Sequence, residues 1–141
     1  MVEQGSVPQQ AAAIPFRRDG DGVQVCIIRK RDSERWGIPK GLVDPGDTPE
    51  QTALTESLEE AGLEGQLVGE QVGTYAYKKW RTTFSVAVFL LEVHKEQEIW
   101  LEARLRERRW VPFGELASLL KTHPVWPLLN RVRSRLEDNV S

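Results

Sequence analysis

The sequence predicts an α/β fold, a mixed central sheet covered by helices on both faces. Three observations predict it. Strand-like runs come first, one helix with signals at both ends interrupts them, and later strands give way to two closing helices. A length of 141 residues suits one domain that can bury its own core. The first ten residues are polar and read as a flexible N-terminal tail, which leaves residues 11–141 as the domain.

Residues 11–16 and 23–30 are β-rich runs on either side of Asp19-Gly20-Asp21-Gly22, a strong turn signal. Residues 36–47, rich in Gly and Pro, predict a loop with short extended pieces. Thr48 then fits an N-cap, Pro49 the first helical position and Gln51 the reciprocal capping position. Gly62 fits the residue just past the helix end, so the helix spans 49–61. Ala53, Leu54, Ser57, Leu58 and Ala61 share one arc of it and are expected to face the core. Strand-like stretches follow at 66–72, 74–79 and 82–93, then a polar segment at 94–106 and a short strand at 109–112. Residues 114–121 and 125–137 are expected to be helical. The second carries Val125, Leu128, Leu129, Val132 and Leu136 at core-facing spacing.

The charged fraction of 28% and apolar fraction of 40% exclude disordered, fibrous and membrane classes. Cys26 is the only cysteine, so no internal disulfide is expected; within Val25-Cys26-Ile27-Ile28 it reads as a buried hydrophobe, not a nucleophile. The polar N-terminus lacks the plan of a signal peptide, and the most apolar stretch, 84–93, is about half a bilayer span. A cytoplasmic location with no membrane partner is the expectation. His94 and His123, the two histidines, read as a surface and a helix-end residue without catalytic roles.

Charge is unevenly spread. Residues 41–70 carry eight acids and no Lys or Arg, so the remainder has six more bases than acids. An acidic block in a basic frame suits a site for cations and phosphates, although a solvated acidic face would have the same composition. Within the helix, Glu56, Glu59 and Glu60 gather on one face at spacings of three and four, with no basic residue to neutralise them. Such like-charge pairs cost only about a few tenths of a kcal/mol each, so a helix tolerates them without any function. Clustered carboxylate oxygens also suit Mg²⁺ or Mn²⁺, hard cations. An EF-hand at Asp19 is excluded because Lys30 stands where its last glutamate belongs, and no phosphate-cradling Gly-Lys-Ser/Thr loop exists.

The loop before the helix adds a fixed pattern. Gly41, Glu56, the pair Glu59-Glu60, Gly62 and Leu63 match six of the nine defined positions of the 23-residue Nudix box. By this match the chain resembles the Nudix hydrolase superfamily, which implies a Nudix-type α/β/α sandwich. Three positions depart: Asp47 replaces a glutamate, Ser57 an aliphatic residue, and Thr55 an arginine that helps hold a catalytic carboxylate in the family. Either another base such as Lys40 takes that role or the enzyme is slow.

The resemblance implies a pyrophosphohydrolase acting on a substituted diphosphate. Glu56 and Glu60 would be the main ligands of Mg²⁺ or Mn²⁺, with the Lys40 backbone carbonyl a possible third. Glu59 would be the general base or a further ligand, and Glu56 is also counted catalytic. Glu102 and Glu98 are candidates for a further metal ligand, with a solvated surface charge as the alternative. Residues 36–41, Trp-Gly-Ile-Pro-Lys-Gly, resemble diadenosine tetraphosphate hydrolases and diphosphoinositol polyphosphate phosphohydrolases; Trp100-Leu101-Glu102 with residues 106–110 is similar to the second group. A dinucleoside or diphosphoinositol polyphosphate is therefore the expected substrate. Lys40, Arg31, Arg35, Lys78 and Arg81 are its expected contacts, with Arg29, Lys30 and Lys79 nearby. A weakened Nudix-fold module that binds polyphosphate for regulation is the alternative, and a nucleic-acid partner is not expected.

Overall fold

The computed structural model describes residues 7–20 and 22–138. Alternation along the first strand, β1 (Gln9–Asp19), sets the layering. Ala12, Ile14 and Phe16 point to one face of the sheet, into the larger apolar cluster. Ala11 and Ala13 point to the other, against Ala53, Ala87 and Phe89. Both faces are covered, so almost the whole strand is apolar.

β2 (Gly22–Lys30) returns antiparallel to β1, and β5 (Thr82–Glu96) runs parallel to it on the other side. β4 (Leu63–Lys79) pairs with β5 and β6 (Arg106–Pro112) with β2, giving the order β4-β5-β1-β2-β6. The short β3 (Lys40–Leu42) pairs with the start of β1. Helix α1 (Pro49–Ala61) covers the alanine-rich face, whereas α2 (Leu116–Leu120) and α3 (Trp126–Asp138) supply apolar side chains to the other. The result is an α/β/α sandwich on a mixed sheet. Among the described residues no helix is long and apolar enough to cross a membrane.

The capping signals of α1 are realised. Thr48 accepts from the Gln51 N–H, the Gln51 side chain accepts from the Thr48 N–H, and Gly62 ends the helix at φ +68°. Val125, Leu128, Leu129, Val132 and Leu136 are all buried, as their spacing predicts.

Several expectations need correction. The first strand begins at Gln9, inside the predicted tail, because the Gln9 carbonyl accepts from Val43 N–H and the Pro8 carbonyl from Ser85 N–H. Residues 1–6 of that tail lie outside the described residues. The stretches 66–72 and 74–79 are one strand, bent at an irregularity between Val68 and Gly73. The predicted helix at 114–121 is a 3₁₀ turn, Phe113–Glu115, followed by five α-helical residues.

On α1 the buried line is Thr52, Ala53, Ser57, Glu60 and Ala61, while Leu54 and Leu58 are each 38% exposed. Small side chains let the helix lie close on an alanine-rich sheet face, which tilts the larger leucines toward solvent. Ser57, in place of an aliphatic residue, is fully buried, and among the described residues its hydroxyl has no partner.

Loss of either cap should be measurable by urea unfolding. Thr48→Ala is expected to cost about 1 kcal/mol. Gly62→Ala is expected to cost more, because a left-handed alanine adds about 1–2 kcal/mol. Its Cβ would also fall 2.8 Å from the Trp100 side chain. Equal midpoints for Gly62→Ala and wild type would contradict this account of the helix end.

Candidate active site

The last carbonyls of a helix lack partners within it. In α1 they are taken up by the segment between β5 and β6. Glu102 N–H donates to the Glu59 carbonyl at 3.0 Å, Trp100 Nε1 to Glu60 at 2.9 Å, and Arg108 Nη1 to Ala61 at 2.7 Å. The Arg108 guanidinium also stacks over the Trp100 ring at 4.0 Å. This segment is thus pinned to the helix end, and the pinning carries Glu102 to the glutamate cluster.

Glu60 is only 6% exposed. Its Oε1 accepts from the Lys40 N–H at 3.2 Å, and its Oε2 stands 3.5 Å from Arg106 Nη2. Arg106 also pairs with Glu102 at 2.7 Å. Glu56 lies against β3, where a Cβ on Gly41 would collide with its carboxylate, so a glycine is required there by the close approach. Burial pushes the Glu56 carboxyl up to about 8, helped by the neighbouring Glu60 and Glu59. Burial likewise raises Glu60 to about 7, against the pull of Arg106 and the Lys40 N–H.

These groups fit a divalent cation in chemistry: all are hard oxygen donors, and their negative charge is under-compensated. Among the described residues, however, no three His, Cys, Asp or Glu side chains stand together as a metal cage. Arg106 partly neutralises the cluster in their place.

Beside the carboxylates opens a cleft of about 510 Å³. Arg29, Lys30, Arg35, Lys40, Lys79 and Arg106 line it, with Glu60 the one acid on its walls. Strand alternation brings Tyr77 and Lys79 to this wall. The Lys40 Nζ donates to the Tyr77 hydroxyl at 2.9 Å, which in turn donates to Gln10 at 2.8 Å.

Of the residues expected from sequence, Glu56, Glu59, Glu60 and Glu102 come together, and Lys40 and Arg35 line the cleft. Arg31 lines a neighbouring recess, where its guanidinium donates to the Ala103 carbonyl. Lys78 lies on the opposite side of β4 from Tyr77 and Lys79, and exposed Arg81 sits in the turn after them. Glu98 is exposed in a bend away from the carboxylates' hydrogen bonds. The Lys40 ammonium goes to Tyr77 and its N–H to Glu60, whereas the Arg106 guanidinium pairs with Glu60 and Glu102.

Arg106 and His123 escaped the sequence reading as site residues. The four-residue spacing from Glu102 to Arg106 was a usable signal; nothing local marks His123, which reaches the cleft through tertiary packing. Cys26 is fully buried and its thiol is pushed up to about 12 by that burial, in keeping with a packing role. His94 is exposed beside Glu92, as expected of a surface residue.

A NUDIX domain model matches residues 7–131. The chain is similar to Nudix hydrolase 21, chloroplastic, of Arabidopsis thaliana, at 33% identity over 79% of this chain and 59% of the relative. Diphosphoinositol polyphosphate phosphohydrolase 3-alpha of Mus musculus is 28% identical over 82% of this chain and 70% of its own length. The fold is similar to a C. elegans Ap4A hydrolase solved as a binary complex, with a TM-score of 0.79, 21% identity, and coverage of 94% and 99% of the two chains. The chain spans between half and two thirds of the length of the first Arabidopsis relatives it matches.

Without metal, the buried carboxylates give stability a definite pH slope. Folded Glu56 and Glu60 keep protons up to about 8 and about 7, whereas unfolded glutamates release them near the ordinary glutamate value of 4.5. Between those limits the native state holds more protons, so rising pH destabilises it. In chelator, Glu56→Gln is therefore expected to raise Tm relative to wild type at about pH 9 and to change it little at about pH 4. A lower Tm for the variant at alkaline pH would overturn the assigned burial.

Proposed function

From membership of the NUDIX domain family, to which this chain belongs, we propose that it is a divalent-metal-dependent pyrophosphohydrolase. Its substrate is a substituted diphosphate of high charge, a dinucleoside polyphosphate or a diphosphoinositol polyphosphate. One observation carries this reading: a cluster of four glutamates stands beside a cleft with six basic side chains and meets it through Glu60. Several phosphates can lie against such a wall while one phosphorus sits beside the carboxylates.

Glu56 and Glu60 would hold Mg²⁺ or Mn²⁺, with the Lys40 carbonyl and Glu102 as further oxygen donors. The ion would offset phosphate charge and would lower the pKa of the attacking water. Glu59 accepts the proton of that water as its oxygen bonds to phosphorus and the bridging P–O bond breaks. Arg35, Lys40 and Lys79 orient the phosphates, and Arg106 meets the charge that develops on the departing phosphate oxygen. The Tyr77 hydroxyl holds the Lys40 ammonium in place for this. A small molecule is the partner, without membrane or nucleic acid. A cytoplasmic setting accords with the single, buried, free Cys26.

A second reading has its own support. Arg106 sits on Glu60, Thr55 fills the usual arginine position, and among the described residues the carboxylates form no ready cage. A module with weakened catalysis would bind polyphosphate and cleave it slowly or not at all.

A panel of both polyphosphate classes and nucleoside triphosphates, with Mg²⁺ and with Mn²⁺, separates these readings. Metal-dependent cleavage of the polyphosphates is expected, with triphosphates poor substrates. Glu59→Gln is expected to lower kcat by about 10²–10⁴-fold, and Glu60→Gln to abolish metal-dependent turnover. Cleavage of triphosphates alone would refute the substrate class; tight polyphosphate binding without turnover would establish the module.

A further inference from the structure

The cleft continues past the basic wall. Arg35, Trp36 and His123 also line a second recess of about 420 Å³, together with Glu34, Leu119 and Thr122. The two spaces differ in charge. Six bases face one acid in the first, whereas Arg35 faces Glu34 in the second. A phosphate chain is matched to the first space. The second has no surplus positive charge to hold further phosphates.

His123 stands on the shared wall. Its Nδ1 accepts from the Val125 N–H at 2.9 Å, so a neutral imidazole must carry its proton on Nε2. No hydrogen bond from Nε2 to a protein acceptor occurs among the described residues. A Cβ on Gly37 would lie 3.3 Å from this nitrogen, so glycine there leaves its approach open. The ring is held edge-on to Tyr75, with centroids 5.7 Å apart. Burial, aided by Lys40, lowers His123 to about 4 and keeps it uncharged at neutral pH.

We propose that the recess beyond His123 holds the uncharged organic group joined to the phosphates, and that His123 selects it by donating Nε2–H to an acceptor on that group. A nucleobase, with ring nitrogens and carbonyls and no charge, has this chemistry. A phosphorylated inositol ring would place several anions where only one base stands, opposite an acid. The inference rests on the polyphosphate reading above and narrows it to nucleotides.

Equilibrium binding of three probes to the full chain in Mg²⁺ tests it without turnover. The probes are methylenediphosphonate, the α,β-methylene analogue of ADP, and inositol hexakisphosphate. Wild type is expected to prefer the adenosine probe over methylenediphosphonate. His123→Phe should reduce that preference about tenfold, the size of one lost hydrogen bond, and leave methylenediphosphonate binding unchanged. His123→Gln, which keeps an N–H donor, should retain part of the preference. The proposal is overturned by an undiminished preference in His123→Phe, by equal loss for methylenediphosphonate, or by His123-dependent binding of inositol hexakisphosphate. Probe binding as expected in a protein that hydrolyses nothing would sink the enzymatic reading alone.

Discussion

Crowding of negative oxygen at one helix end is the constraint to which the surrounding structure answers. Glu56, Glu59 and Glu60 sit in the last turns of α1, where the helix dipole is already negative and no basic residue follows. Acids in that place are destabilising, and burial of Glu60 makes them more so. The protein offsets the cost with donors from elsewhere in the chain: the Lys40 N–H, the Arg106 guanidinium, and the three groups that take up the terminal carbonyls. None of these donors belongs to the helix itself.

That arrangement explains why the segment between β5 and β6 is built as it is. Trp100 and Arg108 form a stacked pair that reaches the helix end, and the pair fixes where Glu102 and Arg106 stand. A base on the helix at position 55 would point from the same turn as the acids. A base from β6, Arg106, instead approaches them from the cleft wall and pairs with Glu60 and Glu102. The departure at Thr55 is thus accompanied by a cation of different origin, placed where the acids adjoin the basic wall.

The cleft has a direction as a result. Glu60 and six bases line the cleft, and a charge-balanced recess shares Arg35, Trp36 and His123 with it. A molecule matched to both spaces would carry negative charge opposite the bases and a neutral group in the recess.

The sequence by itself settled what depends on local spacing. Thr48, Gln51 and Gly62 bounded α1 because caps act over three or four residues, and Glu56, Glu59 and Glu60 shared a face because the helical repeat places them there. The sandwich followed from the order of elements and from apolar runs long enough to be covered on both sides. Tertiary structure decided the rest. Leu54 and Leu58 lie outward because the helix rests on alanines of another element, which periodicity cannot register. The Arg106 guanidinium rather than the Lys40 ammonium meets Glu60, Lys79 rather than Lys78 enters the cleft, and His123 reaches a wall made by β2 and β4. Those choices follow from strand register, from the approach of distant segments and from burial, and each is a relation between residues tens of positions apart.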